Sequence, residues 1–140
     1  MDRINRILVH PIFIECVKLN EMAEAKRSFC HHDIEHFLLV SHMMYIMCLE
    51  RQLSYSKDVI YAVGLLHDIG KIAMPKSILC KNGKLTDEEF LVMKSHPVRG
   101  EKIVINIKKL QMISEWVKAH HEKWDGTGYP DGLKGTQIPL

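Results

Sequence analysis

The sequence predicts an all-helical domain, and two observations carry that expectation. Apolar residues recur at three- and four-residue spacing in successive runs. No stretch longer than a few residues alternates apolar with polar, as a half-buried strand must. A third observation sets the exception. Gly126, Gly128, Gly132 and Gly135, half of the 8 glycines, crowd together beside Pro130 and Pro139, which predicts one shaped loop near the C-terminus. A length of 140 residues suits one compact domain over residues 1–140, with enough apolar sequence for a core.

The elements follow in order. Pro11 can open a helix at its first turn, and Ile12, Cys16, Leu19, Met22 and Ala23 recur behind it. A second run extends from about Ile34 to Leu49 through Phe37, Leu38, Val40, Met44 and Met47. Ser56 can cap a third helix, with Asp58 in its first turn. There Val59, Ile60, Val63, Leu65 and Leu66 cover a wide apolar face that ends near Gly70. Residues 71–84 hold Pro75 and Gly83 and read as a loop. Thr86 and Glu89 form a capping-box pattern for a helix to about Ser95. Pro97 fits the first turn of the next helix, through Ile103, and a last helix covers about Leu110 to His121 with Ile113, Trp116 and Val117 inward.

Composition excludes several classes. The chain is 46% hydrophobic and 26% charged, with a net charge of +2, too small for a DNA-coating surface or a strong membrane attraction. No run approaches the 18 or so apolar residues of a membrane span, and residues 1–11 lack the apolar core of a signal peptide. Cys16, Cys30, Cys48 and Cys80 form no CxxC pair. A cytoplasmic protein with reduced thiols, no DNA partner and no membrane contact is expected.

Nine histidines are the unusual feature. His67–Asp68 ends the most apolar helix, where an unpaired carboxylate would be costly. His36 lies in an apolar run, and His32 is one turn earlier. His96 precedes Pro97, and His120 and His121 end the last helix. Taken singly, an HD dipeptide is most often an exposed helix end, and a histidine is most often a satisfied core or surface residue. Together, these imidazoles and one carboxylate suit iron, manganese, zinc or similar ions. A carboxylate can bridge two ions about 3.5–4 Å apart, the arrangement that drives in-line attack on phosphorus.

The order His36, then HDIGKIAMP at 67–75, HPVRG at 96–100 and HHEKWDGTGYP at 120–130 resembles the HD-GYP subfamily of the HD-domain metal-dependent phosphohydrolases. The resemblance runs from about Asp33 to Leu140. It implies an HD-domain helical bundle with a Gly-rich GYP loop, and hydrolysis of a cyclic dinucleotide, above all cyclic di-GMP. It implies that His36, His67, Asp68, His96, His120 and His121 ligate two divalent ions, with Asp68 as the bridge. Lys71 would contact a substrate phosphate. Gly126, Gly128, Tyr129 and Pro130 would line the substrate entrance and offer a surface to a protein partner.

Departures from the family pattern qualify this. The pattern continues past Leu140 into a helix with a further Asp ligand, so the chain reads as lacking the final helices. Where some members carry a carboxylate one turn before the first histidine, this chain has His32, a candidate ligand without negative charge. The set Asp68, His96, His120 and His121 is a full four-ligand site. The set His36, His67 and Asp68 is one ligand short. Two alternatives stay open: an HD phosphohydrolase acting on another nucleotide, and a non-catalytic module that binds metal, nucleotide or a partner. Without the final helices, the inner faces of Val59–Leu66 and Ile113–Val117 are expected to be partly bare, and self-association is expected with them.

Overall fold

A computed structural model describes residues 2–24 and 33–139. Among the described residues there are helices and no strand, as the apolar spacing predicts. His32 and Cys30 lie outside the described residues. The chain divides into two compact units, Met1–Leu66 and His67–Leu140. No described helix is long and apolar enough to cross a membrane.

The first unit holds α1 (Asp2–Leu8), α2 (Pro11–Glu24), α3 (Ile34–Glu50) and α4 (Lys57–Leu66). Helix α1 was not among the expected elements. Pro11 does open α2, and Asp33 caps α3 by accepting from the His36 N–H at 2.8 Å. Helices α3 and α4 cross closely. A Cβ added at Gly64 would stand 2.3 Å from Ser41 Oγ and 2.6 Å from its Cα, so only glycine permits this approach. Ser41 is buried and turns its hydroxyl back to the Phe37 carbonyl at 2.7 Å, which removes the cost of an unpaired polar group at the crossing. Phe13 of α2 and Phe37 of α3 place their rings 6.1 Å apart.

Helix α4 is buried from Ile60 to Leu66 around most of its circumference, except at Tyr61. It ends at Leu66 rather than near Gly70.

The second unit opens with the turn at His67–Asp68 and a 3-10 helix, Ile69–Ala73. Helix α5 (Lys76–Leu79) occupies part of the expected 71–84 loop. Helix α6 (Asp87–Met93) begins with the predicted capping box: Glu89 N–H donates to Thr86 Oγ1 at 3.3 Å, and Thr86 N–H donates to Glu89 Oε2 at 2.7 Å. Helix α7 (His96–Ile105) carries Pro97 in its first turn. The last expected helix is divided into a 3-10 turn, Gln111–Ile113, and α8 (Ser114–Ala119).

Helix α7 packs against both the 3-10 helix and α8. The first contact requires glycine at position 70, and the second is tight at Gly100. A Cβ at Gly70 would lie 1.9 Å from the His96 carbonyl oxygen and 2.5 Å from Gly100 N. A Cβ at Gly100 would touch Val117 Cγ1 of α8 at 3.0 Å. The expectation of bare inner faces is corrected here. Ile60, Val63, Leu65, Leu66, Ile113 and Val117 are all buried, because the described helices already cover those faces.

Candidate metal centre

The tight packing of the 3-10 helix, α7 and α8 brings functional residues from the ends of all three to a common point. Asp68 closes α4's run into the 3-10 helix and is 2% exposed. His96 begins α7 and is also buried. His120 and His121 follow the last residue of α8. One ligand atom from each of Asp68, His96, His120 and His121 lies within 4.8 Å of the others.

The two oxygens of Asp68 face different neighbours. Oδ1 lies 3.2 Å from His96 Nε2 and 3.8 Å from His120 Nε2. Oδ2 lies 2.9 Å from Lys71 Nζ and 3.4 Å from His67 Nε2. Burial opposes ionisation of this carboxyl. The contact to His67 and the charge of Lys71 outweigh it and hold the group well below the ordinary carboxylate range.

Backbone carbonyls aim the imidazoles. His96 Nδ1 donates to the Met93 carbonyl at 2.8 Å, and His120 Nδ1 donates to the Val117 carbonyl at 2.6 Å. A carbonyl only accepts, so Nδ1 carries the hydrogen in both rings. In the neutral imidazole, Nε2 then presents its lone pair. These two Nε2 atoms stand 3.2 Å apart, both turned toward Asp68 Oδ1. Two lone pairs and a carboxylate oxygen converging in a buried space repel one another, and a cation among them reverses the sign. The donor set therefore fits a divalent ion.

Pro97 explains why the Met93 carbonyl is available. In a continuing helix that carbonyl would accept from the N–H of residue 97, which proline lacks. His120 uses a carbonyl in the last turn of α8, where intrahelical partners run out.

Burial pushes the His120 imidazole down to about 3, with His67 adding to the effect. Burial also pushes His121 down to about 4, with His96 adding to it. Both rings are held neutral, the form that binds metal.

The remaining sequence-predicted residues fall into three groups. His67 joins the cluster through Asp68 Oδ2, and its ring lies 5.2 Å from that of His120. Lys71 is buried and ion-paired with Asp68. His36 belongs to the first unit, at the N-terminal turn of α3.

The glycine-rich loop meets the cluster through Tyr129. Its ring stacks on His121 at 4.6 Å and 24°, and burial with the Asp68 charge pushes its phenol up to about 12. Gly128 is required by space: a Cβ there would stand 2.4 Å from Lys123 N. Gly126 is required by its φ of +82°. Pro130 follows Tyr129 and is half-buried.

Glu122, which the sequence reading did not single out, anchors the loop. Its carboxylate accepts from Asp131 N at 2.7 Å, Gly132 N at 3.1 Å and Leu133 N at 2.9 Å. The available signal was a carboxylate directly after a histidine pair, facing a loop rich in unpaired N–H groups.

The HD domain family model matches residues 12–140. The chain belongs to the HD domain family. Its motif blocks are of the HD-GYP type within that family. Over 90 residues it is 47% identical to a cyclic di-GMP phosphodiesterase of Vibrio cholerae, covering 59% of this chain and 18% of that protein. A cyclic di-GMP phosphodiesterase of Thermotoga maritima is 52% identical over 77 residues, 54% of this chain and 21% of its own. A 3'3'-cGAMP-specific phosphodiesterase 3 of Vibrio cholerae is 33% identical over 133 residues, 91% of this chain and 28% of its own. The chain thus spans about a fifth to a quarter of the length of these relatives.

Proposed function

We propose that this chain is a metal-dependent phosphodiesterase domain that hydrolyses a cyclic dinucleotide, cyclic di-GMP first among them. The observation that carries the proposal is the pair of imidazole Nε2 atoms, 3.2 Å apart, aimed with Asp68 Oδ1 at one point. Asp68, His96, His120 and His121 would hold one divalent ion, iron or manganese. Asp68 Oδ2 and His67 would hold a second, weaker one, and His36 keeps a ligand's role on the family pattern alone. Bound divalent ions would supply Lewis acidity, activating water and neutralising charge on the phosphate.

The chain's own residues do the rest. Asp68 fixes the spacing of the ligand set through its two oxygens. The Met93 and Val117 carbonyls keep His96 and His120 from rotating. Tyr129 stacks on His121 and would border the cluster on that side. Lys71 holds Asp68 through Oδ2 and would supply positive charge where a substrate phosphate approaches.

The decisive assay follows linear dinucleotide product under anaerobic conditions with added manganese or iron, wild type beside Asp68→Ala. Product from wild type alone supports the proposal, and equal rates assign the signal to contamination. A second reading, preference for 3'3'-cGAMP, is favoured by the relative of that name that covers 91% of this chain. Offering both dinucleotides in one reaction separates the two.

A further inference from the structure

A cyclic dinucleotide carries two phosphates, and only one can sit at the Asp68 cluster. We infer that Lys94, held over the rings of Phe90 and Tyr129, binds the phosphate that is not being cleaved. The inference rests on the function proposed above and specifies how that site takes a substrate with a second anionic group.

Lys94 caps the C-terminal end of α6. Its ammonium stands 4.9 Å from the centre of the Phe90 ring and 5.5 Å from that of Tyr129. Tyr129 in turn stacks on His121. The ammonium is therefore one aromatic ring removed from the metal cluster, on the side where the glycine-rich loop borders it. Two ring faces pin the half-buried lysine stem, so less side-chain freedom is lost when an anion binds.

The charge of Lys94 is also available to an anion. Lys71, Lys81 and Lys118 each pair with a carboxylate, Asp68, Glu89 and Asp131 respectively. Among the described residues, no carboxylate pairs with Lys94. Phe90 stays 45% exposed beside it, an apolar ring left in water next to an ammonium that no described carboxylate pairs with. A helix-end lysine in a merely dipole-complementing role requires neither ring.

The test uses calcium-loaded intact protein and two probes: cyclic di-GMP, with two phosphates, and bis(4-nitrophenyl) phosphate, with one. Lys94→Met preserves stem length and ring contact while removing the charge, and Lys94→Arg restores the charge. Lys94→Met should weaken cyclic di-GMP binding about tenfold, the scale of one lost charged hydrogen bond. Affinity for the single phosphate and metal content should stay within twofold, and Lys94→Arg should recover most of the loss. Equal weakening toward both probes, or loss of metal, would assign Lys94 to holding the loop and overturn the inference. Unchanged cyclic di-GMP affinity would also overturn it. Wild type that binds cyclic di-GMP without hydrolysing it in manganese would sink the proposed function and leave the affinity comparison to decide the inference. Wild type that binds no cyclic di-GMP would sink both.

Discussion

The Met93 carbonyl accepts from His96 Nδ1 at 2.8 Å, because the residue that would otherwise claim that oxygen is Pro97. Pro97→Ala restores the competing N–H without adding bulk. Its expected effect is on metal rather than fold: affinity for manganese should fall about tenfold or more, the scale seen when a ligand histidine loses its outer partner. Helicity should be unchanged or slightly higher. Titration calorimetry beside circular dichroism checks both, and unchanged affinity would show that the carbonyl contact does not set the ring.

Gly70→Ala tests the packing that brings Asp68 to His96. Its Cβ would stand 1.9 Å from a backbone oxygen, a contact that no side-chain rotation relieves. Destabilisation at or above the usual overpacking range of about 1–3 kcal/mol is expected, read from the urea midpoint. Gly83 has open space but a φ of +103°, so Gly83→Ala should cost backbone strain without disturbing the centre. Metal loss in Gly70→Ala and metal retention in Gly83→Ala is the expected contrast.

Asp68→Asn keeps shape and removes charge. Lys71 is then left buried without its partner, which costs the metal-free protein about 3–5 kcal/mol. Metal analysis should return no tightly held ion from this variant and one from wild type. Two ions surviving chelator dialysis of wild type would contradict the weak second site, where Lys71 already occupies Asp68 Oδ2.

Acid should weaken the metal-free domain over a defined window. His120 and His121 sit at about 3 and about 4 in the fold, below the ordinary imidazole value of 6.5. Between those values and 6.5 the unfolded chain takes up protons that the folded chain refuses. Stability is therefore full above about pH 6.5 and declines as pH falls toward 4 and then 3. Urea midpoints at pH 7.5, 5.5 and 4.5 measure the decline, and His120→Asn should flatten it. Identical slopes for the two proteins would assign the acid sensitivity to other groups.

Glu122→Gln removes the charge that gathers three loop N–H groups. Hydrogen exchange at Asp131, Gly132 and Leu133 should speed up together, with Tyr129 fluorescence shifting as its ring loosens from His121. Unchanged exchange at those three amides would assign the loop's order to its glycine turns instead.

Much of this was legible in the chain. The capping box at Thr86–Glu89, Pro11 and Pro97 in first turns, and the apolar run of α3 rest on local chemistry and fall where the spacing places them. The clustering of Asp68 with His96, His120 and His121 was readable because an HD pair, an HP junction and an HH pair each serve a site poorly alone. What escaped the sequence was non-local. The close approach of Gly70 to the His96 backbone, which puts a 3-10 helix where the α4 run was expected to continue, is a contact between residues 26 apart. Glu122's hold on residues 131–133 likewise depends on how the loop folds back. Lys71 was expected to face substrate, and its pairing with Asp68 shows only once the turn of 3-10 helix is drawn.

The hydrogen bonds that orient His96 and His120 end on main-chain oxygens, of Met93 and Val117. Every amino acid brings the same oxygen, so the side chains at those two positions carry none of the instruction for aiming the rings. A domain built this way can change the side chain at the half-buried position 93 while the donor atoms stay in register, whereas Val117, fully buried against Gly100, is held by its packing alone. At position 93, evolutionary freedom and chemical rigidity are lodged in different parts of the same residue.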